Sequence, residues 1–229
     1  MVLLAAMSVW AQDARPAAVS GSVADDCTIP VDNAQVLLVR AEFAEPGVAA
    51  PGVAASAAPS AMTTTNDMGE FRLDNVAPGR YLVFVRPAGF LQDGYLANGY
   101  MPTYYPAAIS MAGATRINMV AGQDVSGIAV TLSMSPMYSM SGHVTEPGSK
   151  TRELIVMQRD TAEIEVFRGA LGPDGRFIIG GVPPGDYVLR APEREASEAR
   201  RTSEGEPSPP LTARVRVLDT NVSGIVISR

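Results

Sequence analysis

The stretch Asn66 to Val85, NDMGEFRLDNVAPGRYLVFV, has a near copy in Gly172 to Ala191, GPDGRFIIGGVPPGDYVLRA. Gly69 matches Gly175, Phe71 matches Phe177, Val76 matches Val182, Pro78 matches Pro184, Gly79 matches Gly185 and Tyr81 matches Tyr187, each pair 106 positions apart. The flanks repeat as well. VSGSV (Val19 to Val23) pairs with MSGHV (Met140 to Val144), and VSGI occurs from Val125 and again from Val222. A chain that spells one start, one middle and one end twice is an internal duplication, and two similar domains follow.

The repeated sentence describes strands and tight turns. Gly69 and Gly175 supply the positive φ that other residues resist, Phe71 and Phe177 then enter a core, and Pro78-Gly79 and Pro184-Gly185 reverse the chain again. Tyr81 and Tyr187 follow, placed to bury their rings and send a hydroxyl to backbone at a sandwich corner. AQVLLVR, RYLVFV, RELIVMQ, IEVFRGA, RFIIG and DYVLRA are strand-length runs between such turns, and no segment past the leader has a long capped helical period. The expectation is an all-β chain of antiparallel sandwiches.

A GxV strand, a DxxGxFxxxxVxPGxYxLxV core and a closing VSGIxVxL strand resemble the carboxypeptidase regulatory-like domain, in two copies. The resemblance implies two tandem antiparallel transthyretin-like (prealbumin-like) seven-stranded β-sandwiches, related to collagen-adhesin B-type repeats and grouped with carbohydrate-binding-like folds. It implies an extracytoplasmic bacterial setting and does not imply an enzyme. The expected copies are 17–133 and 139–229, joined by a linker at 134–138. The first copy is longer by an Ala/Pro/Gly-rich insertion at 44–60, expected to be flexible, and the second carries a charged segment at 193–210, expected to be a mobile loop.

Residues 1–11, MVLLAAMSVWA, form an apolar run too short to span a bilayer, with Val9 and Ala11 suited to a signal-peptidase site before Gln12. A secretory signal peptide with a truncated basic n-region is expected, hence export to the periplasm, outer surface or medium. The net charge of −6 argues against nucleic acid. Cys27 is the only cysteine, so it cannot form an internal disulfide; a half-buried structural thiol is expected, with a disulfide to another chain as the alternative.

The residues for catalysis are sparse. His143 is the only histidine, which leaves zinc sites and Ser-His-Asp or Cys-His pairs without partners. Lys150 is the only lysine, so an internal Lys–Asn crosslink is impossible in the first copy. Asp25 with Asp26, and Asn66, Asp67 and Glu70, lack calcium-loop spacing. No catalytic residue, metal or cofactor is assigned. One segment has an unusual composition. GFLQDGYLANGYMPTYYP holds Phe90, Tyr95, Tyr100, Tyr104 and Tyr105, a candidate ligand-binding surface if the rings are exposed and a local cap if they are not.

The reading that results is a non-catalytic, secreted or envelope-associated structural or interaction protein, with an envelope protein or polysaccharide as partner. A carbohydrate-binding module using 90–106 is the alternative, and a hydrolase with an unrecognised site the second.

Overall fold

The computed structural model describes residues 17–44, 58–87, 98–145, 153–160, 163–191 and 211–228. The leader, Phe90, Tyr95, Lys150, most of the 44–60 insertion and the 193–210 segment lie outside them. The N-terminal half carries β1 (Ala17–Asp25), β2 (Gln35–Arg40), β3 (Ala61–Thr64), β4 (Glu70–Val76), β5 (Gly79–Arg86), β6 (Asn98–Tyr100), β7 (Thr103–Tyr104), β8 (Ile117–Met119) and β9 (Val125–Leu132). A short β10 (Met134–Pro136) follows. The C-terminal half carries β11 (Tyr138–Val144), β12 (Glu153–Arg159), β13 (Glu163–Ala170), β14 (Arg176–Val182), β15 (Gly185–Ala191), β16 (Leu211–Val217) and β17 (Val222–Ile227). Two short 3-10 turns, Ala41–Ala44 and Met111–Gly113, are the helical elements among the described residues. The protein is all-β.

One sheet of each half has the same plan. Its orders are β4-β1-β9 and β14-β11-β17. The middle strand pairs antiparallel with the strand of the repeated motif and parallel with the closing VSGI strand, and both ladders of each sheet carry a register irregularity near the start of the middle strand. The parallel pair departs from the antiparallel expectation. Parallel neighbours need a long crossover, and here the rest of the half supplies it. The second sheet is β3-β2-β5-β7 with β8 on β5 in the N-terminal half, and β13-β12-β15-β16 in the C-terminal half.

The parallel pairing explains the glycine of the SGS and SGH tripeptides. A Cβ on Gly21 would lie 1.9 Å from the Ile128 carbonyl oxygen, and one on Gly142 would lie 2.0 Å from that of Ile225. The first and last strands approach too closely for any side chain there. Gly69 takes φ 72° and Gly175 φ 80°, and their carbonyls accept from Val23 N and Val144 N. Phe71 and Phe177 are buried behind these turns. The Tyr81 hydroxyl donates to the Ala77 carbonyl at 2.9 Å and that of Tyr187 to the Pro183 carbonyl at 2.8 Å, which pins both Pro-Gly corners. Even the opening contacts correspond: Ala18 N donates to Asp124 Oδ1, and Ser139 N to Asn221 Oδ1.

Candidate functional site at the junction of the two halves

Strands β2 and β5 are buried on both faces. Val36, Leu38, Tyr81, Val83 and Val85 point into the N-terminal core. The alternating residues Leu37, Val39, Leu82 and Phe84 belong instead to one contiguous cluster with Leu154, Val156, Ile164, Val166 and the rest of the C-terminal core. An outer sheet face of the first half thus closes the core of the second. The polar contacts across this junction fall at one end of the β12–β13 ladder. Arg86 Nη1 donates to the Glu165 carbonyl at 3.0 Å and lies 3.9 Å from its carboxylate. Gln158 Nε2 donates to the Ile109 carbonyl at 3.4 Å, and Met111 N donates to the Asp160 carboxylate. Burial lowers the Arg86 pKa, and Glu165 opposes that shift. The guanidinium is also anchored by Gln35, whose Oε1 accepts from Arg86 Nε at 2.9 Å.

The tyrosine-rich segment builds part of this junction. Tyr104 is 1% exposed, and its ring centroid lies 4.6 Å from that of Phe84. The expectation that it offers a ligand-binding ring is corrected: its ring is packed between sheet and junction. Tyr100 and Tyr105 are half-buried and pack against the N-terminal core. The Tyr100 hydroxyl donates to Asp25 Oδ2 at 3.2 Å, and partial burial together with that carboxylate raises its pKa. Backbone bonds hold the segment down, from Tyr105 N to the Val83 carbonyl and from Thr131 N to that of Pro106. The expected linker 134–138 is not a free connection either. Met134, Ser135 and Pro136 pair antiparallel with Tyr100, Gly99 and Asn98, and β11 starts at Tyr138. The segment therefore clasps the crossing between the halves.

Other reactive side chains do not converge. His143 is exposed on β11, opposite Arg176 and Val226. Cys27 is an exposed free thiol on the Asp25–Ile29 turn, not the half-buried one expected, and Asp26 and Asp25 raise its pKa, the reverse of what a nucleophilic cysteine needs. Asp25, Asp26 and Cys27 are the one group of three potential metal ligands among the described residues. Asp25 is already used as a turn residue, its Oδ1 accepting from Cys27 N at 2.9 Å and Ile29 N at 2.8 Å. Among the described residues no helix is long and apolar enough to cross a membrane.

No protein-family model matches the chain, and no curated protein matches it. Among solved structures it is similar to the Bacillus anthracis TIE protein, at 13% identity and TM-score 0.30, over 94% of this chain and 33% of that one. It is similar to a streptococcal ancillary pilin, at 15% identity and TM-score 0.32, over 95% of this chain and 63% of that one. It is also similar to the shaft pilin SpaA from Lactobacillus rhamnosus GG, at 9% identity and TM-score 0.27, over 93% and 97% of the two chains. The chain thus spans a third of the first and less than two thirds of the second. The all-β description rests on the strand pairing itself.

The junction was missed in the sequence, although a signal for it was present. VLLV and YLVFV are continuous apolar runs rather than alternating ones, which marks strands buried on both faces.

Proposed function

We propose that this is a non-catalytic, extracytoplasmic structural and interaction protein, built from two tandem carboxypeptidase regulatory-like sandwiches locked into one rigid body. The carrying observation is the contiguous cluster in which Leu37, Val39, Leu82 and Phe84 of the first half meet the core of the second. Apolar burial of this kind fixes an orientation where a tether would leave it free. The tandem reading is supported by the matched Tyr81 and Tyr187 corners and the matched Gly21 and Gly142 approaches. The apolar run at 1–11 supports export.

The test is a distance distribution by pulsed electron resonance. Spin labels go on the exposed positions Asp74 and Asp219, one in each half, in a Cys27→Ser background. A single narrow distribution is expected. A broad one would mean a flexible tether and would sink the rigid-body reading. The carbohydrate reading through the tyrosine segment has less support, because Tyr104 is inaccessible and Tyr100 and Tyr105 are half-buried.

A further inference from the structure

The outer face of β12–β15–β16 is the C-terminal counterpart of the face that the N-terminal half buries. By the 106-residue spacing, Leu82 corresponds to Val188 and Phe84 to Arg190. At the matching positions the second half keeps Met157 and Val188 and has one guanidinium, Arg190, which donates to Glu163; three further arginines stand around these positions. Arg214 faces Val188, Arg216 faces Asp186, and Arg159 lies one step past the Gln158–Tyr187 pair, beside Asp186. Arg216 is held by a two-point contact to Asp186, at 2.6 and 3.2 Å. Arg214 is exposed and has no ion pair among the described residues, and Arg159 is exposed, makes no direct salt bridge among them and adds its charge to that of Arg216 in lowering the Asp186 pKa. Alternation along β16 spaces Arg214 and Arg216 by about 7 Å, and two inter-strand steps separate Arg159 from Arg216 by about 10 Å.

We propose that Arg159, Arg214 and Arg216 form a binding face for a linear acidic glycan, one that carries carboxylates or phosphates along its repeat. The planar fork of Arg matches both groups; the forks of Arg159 and Arg214 are open, and Arg216, held by Asp186 through Nε and Nη2, offers its remaining Nη1 between them. A protein partner fits less well. Protein interfaces are anchored by accessible apolar side chains, whereas Met157 and Val188 in the middle of this face are 2% and 3% exposed. Stacking on neutral sugars needs aromatic rings, and the outward residues named here include none. This inference rests on the non-catalytic, interaction-protein reading above, but not on the rigidity of the junction.

The experiment is calorimetric titration of the full chain with polygalacturonate, with poly(glycerol phosphate) and with neutral dextran, at low and at high salt. Wild type should bind at least one polyanion, more weakly as salt rises, and should not bind dextran. The variant Arg159→Gln/Arg214→Gln/Arg216→Gln should lose about tenfold or more in affinity. Arg214→Gln alone, which breaks no ion pair among the described residues, should lose part of it. The control Arg72→Gln/Arg116→Gln/Arg176→Gln makes the same charge change elsewhere and should keep wild-type affinity. Which polyanion binds identifies the anionic group. Absence of binding by wild type overturns the proposal, as does equal loss in both triple variants. Unchanged binding with new self-association would also overturn it, because the arginines would then serve only to protect the edge strand β16. The distance distribution between the halves is read independently, so failure of either reading is visible without the other.

Discussion

Two buried tyrosines differ in what their hydroxyls touch, and their Tyr→Phe variants should differ in sign. Tyr187 donates to the Pro183 carbonyl inside the C-terminal corner. Removing that hydroxyl strands a buried acceptor, so Tyr187→Phe should cost about 1–2 kcal/mol in urea unfolding. The Tyr104 hydroxyl is buried without a hydrogen-bond partner among the described residues. Tyr104→Phe should therefore be neutral or stabilising, while Tyr104→Ala, which opens a cavity against Phe84, should cost about 3–5 kcal/mol. Burial pushes both phenols above their ordinary value, so the folded state keeps protons that the unfolded chain sheds near pH 10. Stability is then fully present below that pH and falls as pH rises beyond it. Tyr104→Phe should remove its share of the alkaline decline. The glycine at the parallel pair sets a harder limit. A methyl at Gly142 meets backbone, not a flexible side chain, so Gly142→Ala should cost about 3 kcal/mol or more, where an ordinary surface change stays within about 0.5 kcal/mol.

The elements were legible where one residue type has one local job. Gly69, Phe71, Pro78 and Tyr81, with their counterparts, name a turn, a buried ring and a corner because φ and ring size leave few other uses. The parallel pairing of β1 with β9 was not legible, because strand direction depends on which sheet the intervening strands join. Nor was the fate of Tyr104. Adjacent Tyr104 and Tyr105 are identical in sequence terms, and the pleat alone decides which one faces the junction. Ion pairs on these strands illustrate the same dependence on surroundings. Arg72 bonds Asp74 and Asp124, but its side chain is 55% exposed, so Arg72→Ala should change stability by no more than about 0.5 kcal/mol. Arg86 is mostly buried between the halves and donates to the Glu165 backbone, so Arg86→Ala should cost about 1–3 kcal/mol. Thermal unfolding of the two variants side by side checks the contrast.

At the scale of the whole molecule, the shared core makes the halves thermodynamically dependent. Leu37, Val39, Leu82 and Phe84 together form an apolar sheet face that Tyr104 and Met111 cover in part and the C-terminal core completes, with Ile164 and Val166 in the same cluster. Breaking this contact exposes both surfaces at once, at roughly 1.5–3 kcal/mol for each large side chain returned to water. The intact chain should therefore unfold in a single calorimetric transition, with the van't Hoff enthalpy matching the calorimetric one. Phe84→Asp places a carboxylate in that core and leaves in place the N-terminal core residues, which point to the other side of the sheet. It should split the transition in two, with each half still giving a β-type circular dichroism spectrum. An isolated 17–133 fragment should fold but self-associate through the uncovered face, and the Leu82→Glu/Phe84→Asp version of that fragment should be monomeric by sedimentation velocity. If Phe84→Asp leaves one unchanged transition, or the fragment is monomeric without the substitutions, then the face is not what joins the halves. The clasp of β6 on β10 would then have to carry the coupling by itself. That is a poor structural fit, because three backbone-paired residues bury far less apolar surface than the β2–β5 face does.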